Sequence, residues 1–287
     1  MWVIGQRFGG KNVNSKIAVA IGLKTNPVAI VWCDEAPADA LQYKPGRWGC
    51  VMALIGGVAA KGKTAVFDRE TYGCWGGGVG LGFGNCYTKF PGGIDGFCSF
   101  LSDGNEKTDL GRKIGEAMAG SPGGVRMASD FLHGERYLKD PPTVERFLGA
   151  LPIQDIPAKY VCVKPLSEAD PLRDEIKSVT FFVEPDALSA LVVLANHVHP
   201  ETENVGFPYA AGCQVMGILS YRELSREQPR ALVGLSDLSA RKTIRPSLGE
   251  HVLSFTAPWP VFLSMEKSVD GSFFGRETWA ALRARPI

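Results

Sequence analysis

Three cysteines occupy positions that suit thiolate chemistry. Cys50 and Cys213 each follow a glycine and begin an apolar segment with a helical pattern. At a helix N-terminus the unpaired amides and the helix dipole stabilise an anion, so a thiolate is favoured there. Cys74 stands at the end of a predicted strand, shortly before a run of glycines. These three thiols are the strongest candidates for metal ligands or for a nucleophile.

The glycines that follow could serve the same centre. Iron–sulfur clusters are held by thiolates, and hydrogen bonds to their sulfurs tune the reduction potential. Because glycine lets the backbone approach closely, the amides of Gly76, Gly77 and Gly78 could provide such bonds. Cys86 and Cys98 follow at intervals of twelve residues, which is too wide for a compact CxxC motif. Either of them could supply a fourth thiolate.

Packing is the alternative role for a cysteine, because free cysteine is among the most buried residue types. Cys33 and Cys162 both lie inside apolar predicted strands. For these two we expect buried, reduced thiols.

Other binding patterns are weaker. A dinucleotide fingerprint should open an amphipathic helix, but Pro91 and two more glycines follow the glycine-rich run. His197 and His199 fall at the end of a predicted helix, where a capping role is favoured over metal binding. Arg241 could hold a carboxylate or phosphate through two N–H groups, and a structural salt bridge is its alternative role. The GxSxG motif of a serine nucleophile does not occur.

Composition limits the classes of partner. The 287 residues are 45% hydrophobic and 21% charged, with a net charge of +1, which gives no electrostatic case for nucleic acid or an anionic membrane surface. No apolar run reaches the length of a membrane span. The N-terminus lacks a secretion signal, so we expect a cytoplasmic protein whose seven cysteines are thiols.

The element pattern predicts an α+β fold, in which helices pack on a mixed sheet. Strands are predicted at 27–33, 64–68, 159–166 and 179–183 and within "RALVGLSD" and "HVLSFTAPW"; helices at 50–60, 142–151 and 213–224 and after Pro185. Both halves contain a strand, a Gly-Cys pair, an apolar helix and a short strand, so the fold could consist of two related halves. We place these halves at 1–166 and 167–287, which could also form one compact domain.

Several segments together resemble a known family. "RWGCVMAL", "TYGCWGG", "GCQVMGI" and "GLSDLSARK" resemble the domain of unknown function 169 family, an uncharacterised prokaryotic family common in archaea and anaerobic bacteria. The resemblance covers most of residues 23–263. The pattern of this family centres on positions that match Cys50, Cys74, Cys213, Gly76, Gly77 and Arg241, and the resemblance implies that the three cysteines act together. It implies no activity.

The resulting prediction is a cytoplasmic protein with a thiolate-held metal centre, a [4Fe–4S] cluster. Cys50, Cys74 and Cys213 would be ligands, with Cys86 or Cys98 as the fourth or with that corner open. Electron transfer, sensing and small-ligand chemistry fit equally, with a redox partner or a small anionic ligand beside Arg241. A metal-free enzyme with a cysteine nucleophile and a non-catalytic small-molecule-binding protein are the alternatives. Homo-oligomer formation is left open.

Overall fold

The structure is a computed structural model that describes residues 6–8, 11–13, 15–120 and 124–284. The chain divides into two compact units. Gly84–Gln154 form the smaller unit, and the described residues on either side of it form the larger one. No helix in the described part of the chain is both long and apolar enough to cross a membrane.

A seven-stranded mixed sheet lies at the centre of the larger unit, and helices pack on it, which confirms the predicted α+β fold. The strands of this sheet are β3 (Val28–Cys33), β4 (Ala65–Phe67), β5 (Tyr160–Pro165), β6 (Glu175–Val183), β7 (Val205–Gly206), β8 (Ala231–Gly234) and β9 (Leu253–Pro258). Two further strands, β1 (Gln6–Phe8) and β2 (Lys11–Val13), form a separate antiparallel pair.

The strand order in the sheet is β4-β5-β3-β6-β9-β8-β7. It is symmetric about the central antiparallel pair β3–β6, because β5 and β9 flank this pair and β4 and β8 follow them. Strands β3 to β5 come from residues 1–166 and β6 to β9 from 167–287. Two related halves would produce this arrangement. The division at residue 166 stays a prediction.

The central strands are buried because their residues are apolar and β-branched. Val28 to Val31 are all inaccessible to solvent, and so are most residues of β6. Val28 lies opposite Thr180 and Ala29 opposite Val179, with a register shift after Ile30. Fully buried strands of this kind read as continuous apolar runs, which is why the sequence revealed them.

Helices surround the sheet in the larger unit: α1 (Lys16–Ala20), α2 (Val51–Lys61), α3 (Trp75–Leu81), α8 (Pro185–Ala195), α9 (Gly212–Gln214), α10 (Ser220–Leu224), α11 (Leu238–Leu248), α12 (Trp259–Ser268) and α13 (Glu277–Arg283). A π-helical segment, Val215–Leu219, joins α9 to α10. The smaller unit contains α4 (Gly93–Leu101), α5 (Asp109–Ala119), α6 (Gly124–His133) and α7 (Pro141–Ala150).

One predicted element is wrong. Cys74 was expected at the end of a strand, but it is the N-cap residue of α3. The glycine run after it forms this seven-residue helix, which ends at Gly82 with φ of 97°. Glycine is a poor helix former, so the helix depends on tertiary packing.

The expected state of two cysteines is also corrected. Cys33 and Cys162 were predicted to be reduced core thiols, but the structure joins them in a disulfide between the neighbouring strands β3 and β5. Cys33 pairs with Tyr160 and Cys162 with Val31, so the disulfide links diagonal positions of the two strands. The other five cysteines are not part of a disulfide.

Candidate functional site

Four helices of the larger unit begin at one place. Cys50 is the N-cap residue of α2, and Cys74 is the N-cap residue of α3. Cys213 is the second residue of α9, and Asp237 is the N-cap residue of α11. α3 packs on α9, and α2 packs on both α9 and α11. Three thiols and one carboxyl group therefore meet at helix N-termini, where anions are favoured.

Hydrogen bonds tie the thiols to the glycine helix. The Cys213 thiol donates to the backbone carbonyl of Gly76 at 3.4 Å. The amide of Gly77 donates to the sulfur of Cys74 at 3.3 Å. The amide of Gly78 is used within the helix, where it bonds the Cys74 carbonyl at 2.8 Å. Of the three predicted amide donors, Gly77 already contacts a thiol sulfur.

The glycines of α3 are required by close packing. A Cβ atom at Gly80 would lie 2.9 Å from the sulfur of Cys213 and 2.9 Å from the amide of Gln214. A Cβ atom at Gly217, in the π-helical segment, would lie 1.9 Å from the carbonyl oxygen of Gly80. At Gly77 it would lie 2.0 Å from the side chain of Val51. Backbone thus packs against backbone, and this brings Cys213 to the N-terminal turn of α3.

The π-helical segment begins two residues after Cys213. Such segments often occur at functional sites, since the wider turn redirects the residues around it. Every residue of this one is buried. It positions α9, the short helix that contains Cys213, against α3.

The acidic groups of the site oppose each other's ionisation. The pKa of Cys50 is raised to about 12, mainly by burial and also by the charges of Cys74 and Asp237, while hydrogen bonds from Met52 and Thr243 act in the opposite direction. Burial also raises the pKa of Cys213 well above the usual value, and Cys74, Cys50 and Asp237 add to this shift. Without a counter-ion these thiols stay protonated.

Asp237 is the residue of the site that the sequence analysis missed. One carboxylate oxygen accepts from the amide of Gly212 at 2.9 Å, and the other accepts from the amide of Ala240 at 3.3 Å. Burial raises the pKa of this carboxyl group, while the hydrogen bonds and the charge of Arg241 lower it. An Asp between a strand and a helix is a recognisable N-cap signal, but its neighbours in space could not be read from it.

An aromatic group adjoins the cysteines. The Tyr43 hydroxyl donates to the Cys50 carbonyl at 2.8 Å, and its ring lies so close to Gly73 that a Cβ atom there would clash at 2.7 Å. Trp48, which is 49% exposed, stacks on Trp75 with ring centroids 4.5 Å apart. Trp48 lies two residues before Cys50, and Trp75 directly follows Cys74 in the chain, so the exposed Trp48 marks the side on which the site faces solvent.

Of the other predicted residues, two cysteines belong to the smaller unit, and Arg241 binds backbone carbonyls. Cys86 and Cys98 belong to the smaller unit, and both are buried. The guanidinium of Arg241 donates to the carbonyls of Val252 at 3.0 Å and Glu250 at 3.1 Å, so it fastens the segment between α11 and β9. Two of its five N–H groups are used in this way. A role toward an anionic ligand stays a prediction.

Within the described ranges, no group of three or more His, Cys, Asp and Glu side chains forms a ready-made metal site. A metal that binds here would require each coordinating thiol to lose its proton. The hydrogen bond from Cys213 to Gly76 is that of a protonated thiol.

Fold and site together define an α+β protein in which three cysteines meet at helix N-termini beside a glycine-built helix. The chain belongs to the uncharacterised ArCR family, domain of unknown function 169, whose model matches residues 16–268. Neither the comparison with curated proteins nor that with solved structures finds a significant match.

Proposed function

We propose that the protein holds an iron–sulfur cluster through Cys50, Cys74 and Cys213, with [4Fe–4S] as the form of the cluster. The convergence of these three thiols carries the proposal. They come from distant parts of the sequence, and each stands in the first turn or at the N-cap of its own helix. Cysteine thiolates are the usual ligands of such clusters.

The electrostatics of the site favour the binding of a cation. The charged neighbours that act on Cys213 are Cys74, Cys50 and Asp237, all of which carry negative charge when ionised. A bound metal centre supplies the opposite charge and keeps coordinating thiols deprotonated. On binding, the Cys213 thiol would lose its proton and release the Gly76 carbonyl, and the Gly77 amide would go on donating to the Cys74 sulfur.

The electrostatics weigh against Cys50 as a metal-free nucleophile. A thiolate nucleophile needs a lowered pKa. Here burial raises the pKa of Cys50 to about 12. At neutral pH about one molecule in 10⁵ would carry the thiolate at this position.

The cluster would serve electron transfer, sensing or small-ligand chemistry in the cytoplasm. Trp48 and Trp75 lie close to the ligand cysteines in the chain, and their stack, in which Trp48 is exposed and Trp75 half-buried, is the surface that a redox partner or a small anionic ligand would meet. Electron transfer to such a partner benefits from a short path between the cluster and this surface.

The test is anaerobic purification with an iron supply, followed by an absorption spectrum and by iron and sulfide analysis. We expect a brown protein with a broad band at roughly 400 nm, typical of thiolate-to-iron charge transfer. Cys74→Ser should bleach this band. The double variant Cys33→Ala/Cys162→Ala, which removes two cysteines away from the site, should keep it. A colourless, iron-free wild-type protein would refute the proposal.

A further inference from the structure

The larger unit contains the same arrangement twice. In the first half the sheet order is β4-β5-β3, and in the second it is β6-β9-β8. The second order is the reverse of the first when β6 is matched with β3, β9 with β5 and β8 with β4. The outer strand of each of these three-stranded orders, β4 or β8, is also paired in the same way. Leu41 forms a parallel bridge to Ala65 in β4, and Val205 pairs in parallel with Ala231 in β8. The two halves are therefore related by a pseudo-two-fold axis that passes between β3 and β6.

Each half contributes two helix N-termini to the site. The first of them follows the outer-edge segment and starts at a Gly-Cys pair: Gly49-Cys50 in one half and Gly212-Cys213 in the other. The second follows strand β4 or β8. In the first half its N-cap residue is Cys74, and in the second it is Asp237. By this symmetry Asp237 is the counterpart of Cys74.

The contacts of Asp237 place it at the same centre. Its Oδ1 atom accepts from the amide of Gly212, the residue before Cys213, and lies 3.6 Å from where a Cβ atom at Gly212 would be. Its charge acts on Cys50 as well as on Cys213. Oδ1 accepts from the amide of Gly212 and Oδ2 from that of Ala240, and a carboxylate, with about four lone-pair sites, has acceptor capacity beyond these two bonds.

We infer that Asp237 is the fourth ligand of the centre, in the position that the sequence analysis assigned to Cys86 or Cys98. The inference rests on the proposed function. A carboxylate oxygen of Asp237 would bind one iron, and each of the three thiolates would bind one of the other irons. The carboxyl group and the three thiols would each give up a proton on binding. This exchange of ligands transfers no electrons. Oxygen is a harder ligand than thiolate and suits a cluster iron less well. The iron at this corner is therefore the exchangeable one.

The experiment compares wild type with four variants after anaerobic reconstitution with iron and sulfide. Asp237→Asn keeps the size and one hydrogen-bond acceptor but removes the anionic ligand, and Asp237→Cys restores a thiolate. Cys86→Ser and Cys98→Ser are the matched tests of the earlier assignments. Iron and sulfide per chain and the EPR spectrum are measured before and after exposure to a chelator together with ferricyanide, which serves as the one-electron oxidant. Circular dichroism and the urea midpoint of each apo-protein confirm that it is folded.

We expect the chelator to take one Fe²⁺ from the wild-type [4Fe–4S]²⁺ cluster while ferricyanide accepts one electron, which leaves a [3Fe–4S]⁺ cluster with its EPR signal. Asp237→Asn should yield the three-iron cluster from the start. Asp237→Cys should keep its iron at least tenfold longer than wild type. Cys86→Ser and Cys98→Ser should match wild type.

Two results would overturn the assignment and leave the proposed function standing. One is an Asp237→Asn protein that keeps all its iron at the wild-type rate. The other is the loss of one iron in Cys86→Ser or Cys98→Ser. A wild-type protein that binds no iron under these conditions would instead refute the proposed function, and this inference with it.

Discussion

The thiol of Cys213 donates a hydrogen bond to the carbonyl of Gly76 across 137 residues of sequence. The contact exists because the π-helical segment after Cys213 packs directly on the backbone of the glycine helix. The glycine-rich run that resembles a phosphate-binding loop in the sequence is thus a helix-packing surface. Its function is to let two halves of the chain bring their cysteines together.

Substitution of Gly80 tests this packing. In Gly80→Ala the new methyl group would meet the sulfur of Cys213 and the backbone of Gln214, both at 2.9 Å. The helices must then separate, since backbone cannot move aside as a flexible side chain can. Overpacking of this kind costs about 1–3 kcal/mol, and we expect that loss in the free energy of unfolding measured with urea.

Gly57→Ala is the control for Gly80→Ala. Gly57 lies inside α2 with nothing within 4 Å of its added Cβ atom. Alanine there should stabilise the protein by roughly 0.5–1 kcal/mol, because it restricts the unfolded chain and favours the helix. Equal effects of the two substitutions would contradict the packing argument.

Alkylation of Cys50 should depend steeply on pH in the apo-protein. Its pKa is raised to about 12 by burial and by the charges of Cys74 and Asp237. Only the thiolate reacts, so the rate should rise about tenfold per pH unit from pH 7 to 10 without reaching a plateau. Mass spectrometry of the Cys50 peptide after timed reaction with iodoacetamide gives the rate. The urea-unfolded chain is the control and should level off near pH 9.

The raised pKa of Cys50 also predicts how the free energy of unfolding changes with pH. Between about pH 9 and 12 the unfolded chain has released the Cys50 proton while the folded protein keeps it. The folded state then binds more protons, so the free energy of unfolding falls as the pH rises through this window. Cys213 acts in the same direction. Urea titrations at several pH values should show this fall in the wild-type apo-protein and a smaller one in Cys50→Ser.

Much of the fold could be predicted from the sequence. The strands β3 and β5 and the helices α2 and α7 have the apolar runs or helical periodicity that local sequence reveals. The three site cysteines could be selected because a Gly-Cys pair before an apolar helix is a local signal. Whether the three cysteines come together in the folded protein depends on the strand order, which is a property of the whole chain.

Three features could not be predicted, for the same physical reason. The α3 helix contradicts the propensity of glycine and exists only because other backbone packs on it. Asp237 has the ordinary pattern of an N-cap, and its contact with Gly212 bridges 25 residues of sequence. The Cys33–Cys162 disulfide depends on the pairing of β3 with β5. Each of these features is created by tertiary contacts.

The disulfide predicts a thiol count. The protein denatured without reductant should titrate five thiols with Ellman's reagent, because two cysteines form the disulfide and the other five are outside it. After reduction the count should be seven, the number of cysteines in the sequence. The bridge closes a loop of 129 residues, so its reduction should also lower the urea midpoint of unfolding. Seven thiols before reduction would show that the purified protein lacks the bridge.

Substitutions of Asp237 should separate its capping role from its charge in the apo-protein. Asp237→Ala removes the acceptor for the amides of both Gly212 and Ala240. Loss of an N-cap together with a buried amide left without a partner costs about 1–3 kcal/mol in the free energy of unfolding. Urea denaturation at pH 7 measures this loss.

Asp237→Asn should cost far less than Asp237→Ala, because asparagine caps helices about as well as aspartate and its carbonyl still accepts a hydrogen bond. It also removes a negative charge that raises the pKa of Cys50 and Cys213. Alkylation of Cys50 in Asp237→Asn should therefore be faster than in wild type at the same pH. Equal destabilisation of the apo-protein by Asp237→Asn and Asp237→Ala would contradict this expectation. It would mean that the negative charge of the carboxylate holds the four helix N-termini together, and that the site is stable without a cation.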